Sequence, residues 1–520
     1  MLKQVFSLLL ISLFTFSCQQ ENTEKNDALS HLPASVDVVL AFDVDQMMDK
    51  AAFEQVTQMP FYEEIVRETA EENQAFAKIL KQPSSSGLNM NSKFFVGLER
   101  DGRDMEQIVA VFPIADQTAF EKMLQNTEIE GDENISKGAN YYTTKNSILT
   151  WDETVAIMVA TPPKEELSVN QAEQLLVLDK AESIASNKNL QKCIAEQADM
   201  SIWIDSEIII EDPESVDQLS KLLGLSLEDL KGNYLHTFLD FQKGQIKAST
   251  EYYIKSIVAN DLDLLFKDAP DTDFSALFPS ENLSMFFTAG LELRGINQLL
   301  IEKHIKGSAT SFTDEYGLSF EDLIDASNGD VAVGLYASEK EKNKATEILF
   351  ATTIADEKKI ASILKAAEEQ ELIKKTSNDL YKLLGINRPI ELDTITDTLK
   401  IDMDGFLLLK DDILYLTSSE DMVQKIQSGQ FSRDGKINLQ VAEITKKNIF
   451  SLVLNGDDND ATKWNTPFGI VSKNIIIQTD RKRSEVILKT NNPNENSLET
   501  LFKEINKDYE KQQPSEETKI

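Results

Sequence analysis

Few residues in this chain are equipped for chemistry by type and spacing. It has two cysteines, Cys18 and Cys193, and three histidines, His31, His236 and His304, all far apart. A zinc centre needs clustered His or Cys ligands, and no such cluster is present in the sequence. Neither a G-x-S-x-G nucleophile elbow nor a phosphate-cradling glycine loop occurs. The 88 acidic residues could still supply a carboxylate pair for acid–base catalysis, but such partners meet only in three dimensions. Two acidic stretches resemble calcium loops. In "IDMDG", Asp402, Asp404 and Gly405 fit the middle of an EF-hand, yet Lys400 stands where the first carboxylate ligand is needed, so the stretch reads as a hairpin turn. In "NGDDNDATKWN", Asp457, Asp458 and Asp460 are weak calcium candidates set against a plain solvated loop. Trp151 and Trp464 are placed for exposure at a hairpin tip and in a polar loop. Trp203 alternates within a strand and belongs to a core. Cys193, in the helical "NLQKCIAEQ", reads as a small buried hydrophobe rather than a nucleophile.

Cys18 is different, because of what precedes it. Lys3 gives a positive start, Val5 to Phe16 an apolar run, and Ser17 a small residue before the thiol. That is the layout of a secretory signal. The run is far shorter than the roughly 20 residues that span a bilayer core. "FTFSC" resembles the lipobox of bacterial lipoproteins, departing from it at Thr15 and Phe16, as the looser lipoboxes of Bacteroidota do. The resemblance implies a Cys18 thioether to diacylglycerol and an acylated amino group. One acyl chain holds a membrane marginally and two or more hold it stably, so Cys18 is the expected tether. "QQENTEKND" follows as a polar leash. Glu21, Glu24 and Asp27 resemble, in dilute form, the acidic surface-transport signal that some Bacteroidota lipoproteins carry after the cysteine. The expected location is the outer membrane, facing the periplasm or the cell surface.

The chain has 520 residues, 52 basic against 88 acidic, and a net charge of −36. A body this acidic does not suit nucleic acid, whose affinity comes from cations at phosphates, nor an anionic lipid surface. Partners are therefore expected among envelope proteins, glycans or lipids, with the membrane reached through the N-terminal lipid. No cofactor motif is present. With Cys18 lipidated, Cys193 has no disulfide partner, and the domains must be stable through burial alone.

The elements that position these residues recur. "PASVDVVLAFDVD" at 33–45 alternates as a strand with one buried face, and "PSENLSMFFTAGL" at 279–291 does the same. "FPIADQTAFEKML" at 112–124 matches "TTIADEKKIASIL" at 352–364, with Asp116 and Asp356 suited as helix N-caps. The hairpins at 146–162 and 404–420 share acidic tips, Asp152-Glu153 and Asp411-Asp412. "GLSLEDL" at 224–230 and "GLSFEDL" at 317–323 offer Ser226 and Ser319 as caps. The matches keep one order, which predicts an α+β fold: two tandem diverged copies of an antiparallel-sheet module with helices packed on one face. The expected divisions are a signal peptide at 1–17, a tether at 18–30, a first module at 31–255, a linker at 256–274, a second module at 275–492, and a C-terminal helix with a polar tail at 493–520.

The acylated cysteine, the opening "LPASVDVVLAFDVDQMMDK", the later "FFVGLE" and the tandem layout resemble a family of large uncharacterised Bacteroidota lipoproteins, that of domain of unknown function 4836. The resemblance implies envelope location and repeats, and lends no catalytic residues. The expected role is a membrane-tethered envelope lipoprotein acting as a non-enzymatic binding or structural module. The alternatives are an envelope hydrolase with carboxylates between the modules, or a carrier of a hydrophobic ligand.

Overall fold

The computed structural model describes residues 27–72, 77, 80–101, 104–125, 136–138, 140–143, 147–161, 168–205, 231–254, 263–302, 320–336, 347–384, 405–429, 444, 447–455 and 474–512. Cys18, Ser226, His304, Ser319, Asp402, Asp404, Asp457, Asp458, Asp460 and Trp464 lie outside them.

The described residues hold a mixed helix-and-strand fold built on one antiparallel sheet of twenty strands. Its first ten are β1 (Val38–Phe42), β2 (Phe94–Asp101), β3 (Asp104–Pro113), β4 (Ser136–Gly138), β5 (Tyr141–Thr143), β6 (Ser147–Trp151), β7 (Val155–Ala160), β8 (Met200–Asp205), β9 (Tyr234–Gln242) and β10 (Gln245–Tyr253). They lie in the order 4-5-6-7-3-2-1-8-9-10. The last ten are β11 (Leu283–Gly290), β12 (Ser327–Tyr336), β13 (Glu347–Ile354), β14 (Ile373–Lys375), β15 (Leu380–Leu383), β16 (Phe406–Lys410), β17 (Ile413–Thr417), β18 (Phe450–Asn455), β19 (Asn474–Thr479) and β20 (Arg483–Lys489). Their order is 20-19-18-11-12-13-17-16-15-14. A seam joins the two sets: β10 pairs with β20, Gln245 opposite Lys489 through Glu251 opposite Arg483.

The helices are α1 (Val44–Ala51), α2 (Phe53–Val56), α3 (Pro60–Glu72), α4 (Gln117–Gln125), α5 (Val169–Leu176), α6 (Lys188–Ala195), α7 (Leu293–Glu302), α8 (Phe320–Ala326), α9 (Glu357–Glu369), α10 (Glu420–Ser428) and α11 (Ser497–Gln512). Local chemistry sets several ends. Asp116 accepts from the Ala119 N–H before α4, and Asp356 from the Lys358 and Lys359 N–H groups at α9, the capping expected of both. Asp411 and Asp412 both take positive φ, 52° and 58°, the primed turn that suits a two-residue hairpin.

Helices cover both faces, which corrects the expectation of a single covered face. On β1, Val39 and Ala41 enter one core with Leu29, Ala172, Leu190 and Cys193, beneath α5 and α6. Leu40 and Phe42 point the other way, into a core with Met47, Val56, Phe61 and Phe502 from α1, α2, α3 and α11. We call these the front and back faces. The physical reason lies in "VVLAF": it is a continuous apolar run, the mark of a strand buried on both sides. Across the last ten strands, α10 lies on the front with Phe274, Phe278 and Phe286, and α9 lies on the back with Leu407, Leu409 and Leu414.

Order begins earlier than a leash to residue 30 would allow. Asp27–His31 form a 3-10 turn, Ala28 and Leu29 are buried, and His31 Nδ1 lies 2.9 Å from the Leu175 carbonyl. The stretch expected as a linker is also tied down at its end. Phe274 is wholly buried, and Lys267 reaches the buried Asp330 at 2.8 Å. A second buried carboxylate, Asp199, binds Lys50 of α1 through both oxygens, at 2.7 and 2.8 Å, and accepts from the Phe241 N–H at 2.6 Å.

The C-terminal helix forms as its spacing predicts, with Leu498, Leu501, Phe502 and Ile505 facing inward, but it docks on the first ten strands. Its lead-in crosses the β9–β10 turn. There Gly244, at φ +71°, passes so near Pro493 that a Cβ would sit 2.6 Å from the Pro493 Cα, and its N–H donates to Glu495. Asn496 donates to the Phe241 carbonyl at 2.9 Å.

Candidate functional site at the seam

Side chains opposite one another in an antiparallel pair share a face, so the register spells out what the seam presents. On the front, one row runs Trp203, His236, Glu251, Arg483 across β8, β9, β10 and β20. The next runs Phe238, Ser249, Glu485, Gln478, Ser451, Thr288 and reaches β11. The strip lies between the two front cores, and Lys247, Ser249, Glu251, Gln478, Arg483 and Glu485 join neither.

Glu485 is the hub. Lys247 Nζ approaches its Oε1 at 2.7 Å and Arg483 Nη2 at 3.0 Å, and Gln478 Nε2 donates to Oε2 at 2.5 Å. Burial pushes this carboxyl up, but the hydrogen bonds from Lys247 and Gln478 and the charges on Lys247 and Arg483 outweigh it and hold the group below its ordinary range. It therefore stays ionised and has no proton to give near neutral pH. Glu251 accepts from the Tyr253 hydroxyl at 2.9 Å, and Tyr253 stacks on Tyr234 with centroids 4.4 Å apart. The two cations balance the two carboxylates, so the strip is neutral within a strongly acidic chain.

The strip also collects polar atoms that lack a hydrogen-bond partner among the described residues: Trp203 Nε1, His236 Nε2, Arg483 Nε, Ser451 Oγ and Thr288 Oγ1. Most buried polar groups in native proteins are paired, so orphans gathered on one face call for an explanation. Trp203 and His236 are 2% and 1% exposed.

His236 lies among Tyr234, Tyr253 and Phe238. Burial pushes its pKa down to about 4, and Glu251 opposes the shift only in part. The folded imidazole is thus neutral at pH 7. The unfolded chain binds a proton near 6.5 that the native state refuses until about 4, so the group's stabilising contribution is present above 6.5 and lost as pH falls through that window. At about 1.4 kcal/mol per unit, the full loss is about 3 kcal/mol. Urea midpoints taken between pH 7 and pH 4 should fall more steeply for the native protein than for His236→Phe. Parallel curves would show that this histidine does not titrate as placed.

Other residues singled out by sequence sit elsewhere. Cys193 is buried under the front face, with its thiol pushed up to about 12, chiefly by burial. Trp151, expected at an exposed tip, is instead 5% exposed. It stacks on Tyr142, meets Phe120 of α4 edge-on, and donates to Glu121. Trp203 is in the front core as expected. No metal-ready cluster of His, Cys, Asp or Glu exists among the described residues, and no helix among them is long and apolar enough to cross a membrane. The seam pairs two strands far apart in the chain, and the sequence marks it weakly. Its one signal was the polar alternation of Lys247, Ser249 and Glu251 in "GQIKASTEYY", and of Arg483 and Glu485 in "RKRSEV".

Fold and seam together define a large antiparallel α+β sheet protein. The chain belongs to the family described as domain of unknown function (DUF4836), which matches residues 30–441. β18 to β20 and α11 complete the sheet and its back core beyond that match. Among solved structures the chain is similar in part to crystal forms I, III and IV of TP0453, at 13%, 12% and 13% identity. The likenesses cover 45%, 46% and 43% of this chain and 81%, 86% and 79% of TP0453, with TM-scores of 0.26, 0.26 and 0.25. At such scores they say nothing about this chain's function. No curated protein matches it.

Proposed function

We propose that this protein is a lipid-tethered envelope lipoprotein of the Bacteroidota kind, acting as a non-enzymatic binding module through its seam. The observation that supports the binding role is the polar strip on one face of the seam, where Lys247, Arg483 and Gln478 converge on Glu485. Glu485, held ionised by Lys247, Gln478 and Arg483, has no proton to give there as a general acid. The lipid is assigned to Cys18 from the leader alone. Two diverged copies, over 31–255 and 275–492, account for the common strand order. Lys247 and Arg483, Ser249 and Glu485, and Glu251 and Ile487 then hold equivalent places, and Ser249 faces Glu485 across the seam. That pairing puts a local two-fold through the middle of the polar strip.

A second reading, a carrier of a hydrophobic ligand, draws on the back face of the last ten strands. There Phe350, Val333, Phe287, Leu452 and Ile477 form a cross-strand row of half-buried apolar side chains.

The experiment is Cys18→Ala in the native host. The mature mass should lose its acyl increments, and the protein should leave the membrane fraction or accumulate as precursor. Unchanged mass and fractionation would end the tether assignment. Acyl chains extracted from the Cys18→Ala protein, which would carry none covalently, would favour the carrier.

A further inference from the structure

We propose that the loop after α5 is a membrane-contact tip, which sets Val177 and Leu178 into the interface of a zwitterionic lipid leaflet. The inference rests on the tether reading above and gives the tethered body an orientation. Among the described residues two large apolar side chains are exposed, Val177 at 81% and Leu384 at 43%. Val177 closes α5, its N–H donating to the Gln174 carbonyl at 3.2 Å. Leu176 before it packs against the front core. Leu178 after it is half-buried and joins no apolar core among the described residues. A single exposed valine is ordinary on a protein surface; the place of this one in the chain gives it meaning.

Both ends of the loop are fastened to the start of the described chain. Ahead of it, His31 Nδ1 lies 2.9 Å from the Leu175 carbonyl. Behind it, the Ala34 N–H donates to the Glu182 carbonyl at 2.9 Å, the Ile184 N–H to the Leu32 carbonyl at 3.0 Å, and the Ser183 hydroxyl to the Leu29 carbonyl at 3.2 Å. Between them Asp179 folds the turn, accepting from the Ala181 N–H at 2.9 Å. The tip therefore moves with residues 29–34. Asp27 is nine residues on from Cys18, and nine residues reach at most about 30 Å even when fully extended. A lipid on Cys18 thus keeps the root of the tip close to the headgroups. Leu384, which follows β15 in the second strand set, has no such link to the tether.

Charge sets the depth and the kind of lipid. Glu173, Asp179 and Glu182 flank the tip and are exposed. Carboxylates keep their water, so the loop stops at the headgroup boundary, and anionic headgroups repel it. Two apolar side chains bury too little surface to hold the protein on a membrane by themselves. The acyl chains supply the hold, and the tip decides which side of the body faces the lipid.

The test is lipid photolabelling of the mature chain, beginning at Cys18 and coupled through that thiol to a maleimide phospholipid in phosphatidylcholine vesicles. Cys193 is buried and is spared the coupling. A diazirine-bearing phosphatidylcholine is photolysed, and the labelled residues are read by mass spectrometry. Residues 175–180 should be labelled at least about fivefold more than the exposed 374–379 at the far border of the sheet. Val177→Asp should cut labelling of the tip about fivefold or more. Its urea midpoint should not move, because the side chain is largely exposed. Adding phosphatidylglycerol to the vesicles at low salt should also lower the labelling.

Labelling no greater at 175–180 than at 374–379 overturns the tip, as does labelling that is indifferent to Val177→Asp or that gathers around Leu384. Chemical coupling puts the chain on the vesicle whether or not the cell acylates Cys18. Failure of the tip is therefore read from the photolabels, and failure of the native tether from the Cys18→Ala fractionation.

Discussion

Lys50→Met should cost about 3–5 kcal/mol of stability at neutral pH, the usual penalty for stranding a buried charge. Asp199 has no exposed surface, and both of its oxygens are bound by Lys50, which is 27% exposed. After the substitution only the Phe241 N–H remains on the carboxylate. The acidity of Asp199 makes the prediction specific. Burial already raises its pKa, and Lys50 opposes that rise. Losing Lys50 therefore raises it further. A carboxyl raised in the folded state binds more protons there than in the unfolded chain, so stability falls as pH rises above the unfolded value. The deficit of the variant should be largest near pH 7 and shrink towards pH 4, as the folded carboxyl takes up its proton while the unfolded one, near its ordinary 3.8, is about half ionised. Urea melts at the two pH values measure it. An equal deficit at both would mean that the lysine matters through its packing and not its charge.

Phe502→Ala should be nearly as damaging, at about 3–5 kcal/mol. Its ring is 7% exposed and stacks on Phe61 at 6.2 Å. Around it, Phe61 N–H donates to Asn506 and Leu498 enters the same core. The loss should be local in character. Amide exchange should quicken most over 44–72, where α1, α2 and α3 share that core, and least over 405–417, which packs in other clusters. Uniform acceleration across the chain would show that the sheet opens as one unit.

How much of this was legible depended on distance along the chain. The hairpins β6–β7 and β16–β17 could be read because their turns are local: Asp152 folds back onto the Thr154 and Val155 N–H groups, and Asp411-Asp412 closes its strands directly. The caps at Asp116 and Asp356 could be read for the same reason. α11 was visible as an amphipathic helix, but periodicity fixes only the apolar side of a helix and not the surface it meets. Trp151 shows the same limit. Its position at a strand end was clear, while the cover from Tyr142 and Phe120 was not. The seam was the hardest part. Alternating Lys247, Ser249 and Glu251 look like any solvated strand face until β20 is laid beside them. That pairing brings together segments more than two hundred residues apart, and nothing local to either segment specifies it.

The outermost strands, β4 and β14, are three residues each, and Lys374 and Lys375 project into solvent on β14. Among the described residues, an open sheet this wide has two borders without a paired strand, on which a neighbouring molecule could add strands. Short borders, one of them studded with cations, are poor templates for such growth. Crowded side by side, copies of this protein should remain separate particles and not zip into ribbons.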